Sequence, residues 1–336
     1  MSTEPDMLVA REQVLAQIRA ADRFLLATHE HPDGDALGSL VAMHGILSEL
    51  GKDSIMFMSA DEFPLPYEYR SFQLEGMVGV LPEDLVRRTV IFLDCGNIDR
   101  NPAQELLAGV HLLNIDHHHD NTLFGTVNYV DPDASCTAEL VWDLMRALAV
   151  APSTEVADAL YVGLVTDTGR FMYENTGPRA HVMAAELIEA GVDVDAIYRR
   201  LYEEMPFAKL ALFARALGRA ERYDDGRLTV TRLAAADYAA AGAEESYSEG
   251  VIDLLRAVQG TRVAVVVRDM LAEGKRGARK VSLRASDDEV DVSVIARLKG
   301  GGGHRRAAGF STELNDEELV EFLRGQVAAQ LAATPI

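Results

Sequence analysis

The sequence predicts an α/β protein: a mostly parallel, doubly wound sheet, then a helical connector, then a smaller C-terminal α/β domain. Three features carry that expectation. In the first half, short apolar runs alternate with stretches patterned as helices. From about Gly177 to Gly218 the strand pattern stops and Ala, Leu and Glu dominate. After that a turn signal opens a second set of β-branched runs. The expected domains are residues 1–185, a connector 186–220, and residues 221–336.

Taken in order, "RFLLATH" (23–29) reads as the first strand. "DALGSLVAMHGILSEL" is the helix after it, ended by Gly51, since glycine accepts the left-handed conformation that closes a helix. "SIMFMSA" (54–60), "TVIFLD" (89–94) and "VHLLNID" (110–116) are the next strands. "DPDASCTAELVWDLM" (131–145) reads as a helix start with an apolar face that makes Trp142 a core residue. "STEVADALYVGLVTDT" begins with a Ser-x-Glu helix start and keeps helical spacing. In the second half "RYDDGRL" is a hairpin turn, and "LTVTRL" (228–233), "TRVAVVVRDM" (261–270) and "ARKVSLRAS" (278–286) are strands. "DVSVIARLKGGGGHRRAAGF" follows, and a helix at about 315–333 closes the chain.

With 336 residues, 48% of them hydrophobic, there is material for two cores. No apolar run approaches the length of a membrane span, and the first twenty residues lack a signal-peptide pattern. Two cysteines, Cys95 and Cys136, fit a reducing cytoplasm, the expected location. Cys95 reads as a small core residue. A net charge of −21 disfavours long duplex nucleic acid, because such affinity comes from neutralising phosphates. Basic residues gather only in 275–306, nine Lys and Arg against four Asp and Glu, which reads either as a solvated basic face or as a seat for a short phosphate-bearing ligand.

The acidic and imidazole side chains fall at strand ends. His29, Asp33 and Asp35 lie in "THEHPDGDALGS", Asp94 ends a strand, "DHHH" (116–119) ends the next, and Asp167 closes a helix. Ligands of open α/β sheets gather beyond the carboxyl ends of the strands. His44, His111 and His181 lie apart and read as structural. Several carboxylates and imidazoles packed together need a counter-cation, and a donor set of oxygen and imidazole without thiolate suits Mn²⁺, with Mg²⁺ or Co²⁺ as alternatives. So many carboxylates favour two ions, the arrangement that assists in-line phosphoryl displacement. "GGGGH" can turn backbone N–H groups toward an anion, or serve as a hinge; His304, Arg305 and Arg306 just after it, and Arg284 on the neighbouring strand, favour the phosphate seat.

The motifs "THEHPDGDALGS", "FLDCG", "IDHHHDNTLFG" and "VTDTGRF" resemble those of the DHH phosphoesterases, and "KVSLRAS…VDVSVIARLKGGGGHRRAAGF" resembles the DHH-associated C-terminal domain with its GGGH loop. Length and layout most resemble the NrnA-type oligoribonucleases, the nanoRNase/pAp phosphatase group. The resemblance implies that His29 and Asp33 hold one Mn²⁺ and that Asp35, His117 and Asp167 hold the other. Asp94 would bridge them, and His118 would orient water or face the phosphate. His31 and His119 stand outside that set. Arg284, Gly302, Gly303 and His304 would bind substrate, clamping the nucleotide end opposite the metals. The family often has Arg-Ser where this chain has Arg284-Ala285, with Ser286 one place on.

The implied activity is hydrolysis of RNA of two to five nucleotides and of pApA to mononucleotides, with removal of the 3′-phosphate of pAp, in a homodimer. The alternatives are a soluble c-di-AMP phosphodiesterase and a non-catalytic nucleotide-binding regulator, which should have lost a ligand. A manganese pyrophosphatase would lack GGGH. A RecJ-like exonuclease would be longer, with a basic, aromatic track. A membrane-type cyclic-dinucleotide enzyme would need transmembrane segments.

Overall fold

The computed structural model describes residues 4–333 apart from 73, 75, 102, 104–108 and 272–277. It forms two compact units, Met1–Glu204 and Met205–Ile336. The residues expected as a connector, 186–220, are divided between the two.

In the first unit the chain runs α1 (Glu4–Ala20), β1 (Arg23–Ala27), α2 (Gly34–Glu49), β2 (Asp53–Phe57), β3 (Met77–Val78), β4 (Thr89–Leu93), β5 (His111–Asp116) and β6 (Val127–Val130). Helices α3 (Thr137–Ala147), α4 (Thr154–Asp167), α5 (Pro178–Glu189) and α6 (Val194–Tyr198) complete it. All pairings among the strands are parallel, in the order β3-β2-β1-β4-β5-β6. The chain winds outward from β1 to β3, then returns to β4 and winds the other way. The direction therefore reverses between β1 and β4, where a crevice opens beyond the strand ends.

Alternation along each strand builds two cores. Phe24, Leu26, Ile91 and Leu93 meet the helices, with Leu40 of α2, Leu140 of α3 and Leu160 of α4 in one apolar cluster. Leu25, Ala27, Val90 and Phe92 point to the other face, which loops and short turns bearing Leu81, Leu85 and Ile98 cover. Helix α2 is buried along most of its length, as its run of Leu, Val, Ala and Met dictates. It lies close to α4 because both carry glycine at the crossing. A Cβ on Gly38 would stand 2.4 Å from the Ala159 carbonyl oxygen, and one on Gly163 would stand 2.9 Å from Asp35 Oδ1.

The second unit runs α7 (Phe207–Gly218), β7 (Glu221–Tyr223), β8 (Leu228–Leu233), α8 (Ala235–Ala241), α9 (Val251–Arg256), β9 (Val263–Asp269), β10 (Arg279–Ala285), α10 (Val292–Arg297), β11 (Gly302–His304), β12 (Ala307–Thr312) and α11 (Asp316–Ala333). Its sheet has the order β11-β12-β10-β9-β8-β7, antiparallel except between β8 and β9. Val263, Val265, Val267, Val281 and Leu283 face a core closed by Leu319 and Leu323 of α11.

Two expectations change here. Half of the glycine run is neither an open nest nor a hinge: Gly302 and Gly303 belong to β11, an edge strand paired with β12. A Cβ on Gly303 would meet the Ala307 oxygen at 2.4 Å, and one on Gly301, just before the strand, the Gly309 oxygen at 2.2 Å, so glycine at these two positions lets the strands approach. Arg284 is also not on the strand beside that run, because β12 lies between them and pairs Ala307 with both Arg284 and His304.

Candidate metal centre

Each candidate ligand owes its place to the element that ends beside it. β1 delivers His29 into the loop before α2, where its Nδ1–H donates to the Glu30 carbonyl at 2.7 Å. That bond turns Nε2 toward the cluster, 3.6 Å from Asp94 Oδ2. Asp33 caps α2, and its Oδ1 accepts from the N–H groups of Asp35 and Ala36 at 3.1 Å. Asp35 follows in the first turn of α2 and is buried. Asp94 follows β4 with φ 56°, a left-handed turn that aspartate tolerates better than most residues. β5 ends at Asp116 and presents His117 and His118, and α4 ends at Asp167.

The structure brings all six of the metal-ligand candidates together. His29, Asp33 and Asp94 form one group and Asp35, His117 and Asp167 a second, with donor atoms within 4.8 Å of one another in each. His117 Nε2 joins the two, at 3.6 Å from Asp94 Oδ1, 3.7 Å from Asp167 Oδ2 and 4.0 Å from Asp35 Oδ2. His118 and Asp94 complete a third group with His117. His118 Nδ1 donates to Asp116 Oδ1 at 2.7 Å and stands 3.7 Å from Asp94 Oδ1. Asn121 Nδ2 holds the other Asp116 oxygen at 2.5 Å. His31 bonds instead to Glu62, and neither it nor His119 enters these groups.

The donors fit divalent cations. Atoms about 2.1 Å from a shared ion stand roughly 3–4 Å apart, the spacing found here, which is too long for direct hydrogen bonds. Among the described residues no lysine or arginine forms an ion pair with Asp33, Asp35, Asp94 or Asp167. The carboxylates must then settle charge among themselves. Burial, then the charge of Asp94, pushes the Asp35 carboxyl well up. Burial does the same to Asp167, against the pull of His117. Burial also acts to raise Asp94, but contact with His29 and the charges of His118 and His117 outweigh it and hold Asp94 well down. Burial lowers His118, yet the bond to Asp116 and the charge of Asp94 prevail and carry it up to about 10.

One set of contacts escapes the sequence. The N-terminus of α3 points into the cluster. Thr137 N–H donates to Asp35 Oδ2 at 2.6 Å, Ala138 N–H to Asp35 Oδ1 at 2.9 Å, and Thr137 Oγ1 to Asp94 Oδ1 at 3.0 Å. A helix N-terminus favours a carboxylate through its unpaired N–H groups and its dipole. Asn175 Nδ2 steadies Asp167 at 3.1 Å in the same way. The only signal was a Thr opening a helix in "SCTAEL", which is too ordinary to single out.

His44 bonds to Ser54, His181 stacks on Phe171, and Trp142 and Cys95 are buried. Burial pushes the Cys95 thiol up to about 12, which suits a core residue. The basic run 275–306 is not one patch. Strand alternation sends Arg279 to Asp316 and Arg284 to the other face, while Asp288 binds both Arg305 and Arg306. Lys275 and Arg276 lie outside the described residues, as does the side chain of His304. Ser286 bonds to the Thr261 carbonyl at 2.7 Å, a structural contact. Among the described residues no helix is long and apolar enough to cross a membrane.

This parallel sheet, with a carboxylate and imidazole cluster at its reversal point, is the fold of a known class. Residues 23–164 match the DHH family, N-terminal domain, and residues 226–332 match the DHHA1 domain. The chain belongs to the DHH family, with DHHA1 as its second part. Over its length it is similar to the bifunctional oligoribonuclease and PAP phosphatase NrnA of Thermus thermophilus, 34% identical over 307 residues, 90% of this chain and 89% of that one. It is also similar to the probable NrnA protein of Streptococcus mutans, 29% identical over 91% of this chain and 94% of that one. Among solved structures, an exopolyphosphatase-related protein from Bacteroides fragilis shares the fold, with TM-score 0.87, 22% identity and 97% of each chain covered.

Proposed function

We propose that this chain is a two-metal, Mn²⁺-dependent phosphodiesterase. Its substrates would be short 5′-phosphorylated oligoribonucleotides and linear dinucleotides, cut to mononucleotides, and pAp, which would lose its 3′-phosphate. The observation that carries the reading is Asp94, buried, grouped with His29 and Asp33 on one side and 3.6 Å from His117 of the other group. The names of the similar NrnA proteins support the substrate class. His29 and Asp33 would hold one ion and Asp35, His117 and Asp167 the other, with Asp94 between.

When bound, such ions supply Lewis acidity that makes water a nucleophile near neutral pH and neutralises phosphoryl charge. The chain does the rest. Asp35 is fixed by two backbone N–H groups, so it does not reorganise during the reaction. His118, held by Asp116 through Nδ1 and standing 3.7 Å from Asp94, would orient water or face the phosphoryl group. Arg284, Gly302, Gly303 and His304 of the second unit would bind the nucleotide.

The test is a product assay with Mn²⁺ on pApA, pAp, a length series of 5′-phosphorylated RNA, c-di-AMP and pyrophosphate. AMP from pApA and from the shortest RNAs, abolished in Asp94→Ala, is the expected result. Hydrolysis of pyrophosphate alone, of c-di-AMP alone, or of nothing with metal bound would overturn the reading.

A further inference from the structure

The loop that follows Asp94 is stitched to the loop that carries His29. The Arg100 carbonyl accepts from the Glu30 N–H at 2.7 Å, and Asn101 Nδ2 donates to the Thr28 carbonyl at 2.6 Å, so the two bonds fall on either side of His29. Asn97 Oδ1 accepts from the Asp99 N–H at 3.0 Å and opens the short helical turn Ile98–Arg100, with Ile98 and Asn101 buried. The backbone of Arg100 is thereby fixed on the His29 and Asp33 side of the metal centre.

The fold makes no use of its side chain. Among the described residues the Arg100 guanidinium has no hydrogen bond, ion pair or ring contact, and Glu30 and Asp99, the acidic residues beside it in the two loops, do not pair with it. The side chains of Arg87, Arg227 and Arg297 also lack such partners, but they are exposed, where water serves them, whereas Arg100 is half-buried. A half-buried guanidinium without an anion is a cost that a bound anion removes. Its charge still reaches the centre. Burial, and with it Arg100, works against protonation of His29 and of His118, though their carboxylate partners prevail. These imidazoles stand 3.6 Å and 3.7 Å from the two oxygens of Asp94, so Arg100 lies beside the centre without pairing with any of its carboxylates.

A cation that is close to a carboxylate cluster yet pairs with none of it is placed for an anion that the ligand brings. In phosphoester hydrolysis water adds to phosphorus and the bond to the leaving ribose oxygen breaks. One water proton ends on that oxygen and the other goes with the new phosphate, while the nonbridging oxygens stay charged throughout. A planar guanidinium fork matches such oxygens, and a fixed donor counts most where charge develops. We infer that Arg100 holds a nonbridging oxygen of the phosphoryl group under attack, as a catalytic residue outside the metal-ligand motifs. The inference rests on the phosphoesterase reading of the same centre.

Arg100→Ala in the full chain, assayed on pApA in Mn²⁺, should lower kcat by about 100-fold or more, the usual loss when one donor to a developing oxyanion is removed. Added guanidinium should restore part of that rate. Calorimetry with inorganic phosphate on the Mn²⁺-loaded protein should show about tenfold weaker binding in the variant. Its Mn²⁺ affinity should be no weaker than that of the wild type, and its melting temperature in EDTA little changed, which separates contact with phosphate from support of the fold. Arg100→Gln, which keeps most of the length without the charge, carries the same test if Arg100→Ala does not fold. Wild-type rates and phosphate affinity in the variant, or a rate lost together with Mn²⁺ binding, would overturn the inference. Failure of the phosphoesterase reading would look different: a wild type that binds phosphate through Arg100 and yields no products from pApA.

Discussion

Thr137 shows how much one hydroxyl can matter. It bonds to Asp94, a member of the His29–Asp33 group that also stands 3.6 Å from His117 of the second group, and it occupies one lone pair of Asp94 Oδ1. Groups that orient metal ligands typically contribute about 10- to 100-fold in affinity. Thr137→Val keeps the shape and removes the bond, so Mn²⁺ affinity measured by calorimetry should fall by about tenfold or more, with the melting temperature in EDTA little changed. Unchanged affinity would show the hydroxyl to be incidental. Protons act at the same scale. Asp35 and Asp167 have raised values, so the stability they contribute when protonated is full below the ordinary carboxylate value and is lost as pH rises through their raised ones. Asp94, held down, contributes above the ordinary value and loses that on acidification. A cation replaces the protons on Asp35 and Asp167, so the rise in melting temperature on adding Mn²⁺ should be larger at about pH 8 than at about pH 5.5. An equal rise at both would contradict the charge assignment.

Among the elements, the pair α2 and α4 sets the positions of Asp35 and Asp167. Their close crossing depends on glycine. Alanine at Gly38 would gain up to about 1 kcal/mol of helix propensity. It would also force its Cβ to 2.4 Å from the Ala159 oxygen and 3.0 Å from the Gly163 nitrogen, both backbone atoms that yield only if the helices separate. Overpacking of that kind costs about 1–3 kcal/mol and wins. Gly38→Ala should therefore lower the melting temperature and weaken Mn²⁺ binding together. A raised melting temperature would mean that the crossing is looser than drawn. Strands β1, β4 and β5 announce themselves as apolar runs because a central parallel strand is buried on both faces. β3 and β6 lie at the sheet edges and have two and four residues, too few to show a pattern. β11 hides in glycines, which carry no periodicity at all.

At the scale of the whole molecule, the two halves differ in how much of their chemistry the sequence exposed. In the first unit, carboxylates and imidazoles stand directly after strands, so a parallel topology alone brings His29, Asp33, Asp94, His117 and their companions to one edge. In the second unit, charge counting misled. Nine basic residues within 275–306 look like a patch, but pairing with Asp316 and Asp288 removes several of them. Among the described residues Arg284 and Arg268 form no ion pair, and Arg268 lies outside that run, on β9. Only the register of β9 against β10 brings them to one cavity, and register is not written in composition.

Counting ions tests most directly the proposal that buried Asp94 joins two cation sites. Equilibrium dialysis against Mn²⁺, with metal measured per chain, should give two ions for the wild type and a loss of both for Asp94→Ala. Asp167→Ala, which touches only the group containing Asp35 and His117, should keep one. A single ion in the wild type, or two retained by Asp94→Ala, would contradict a shared two-metal centre.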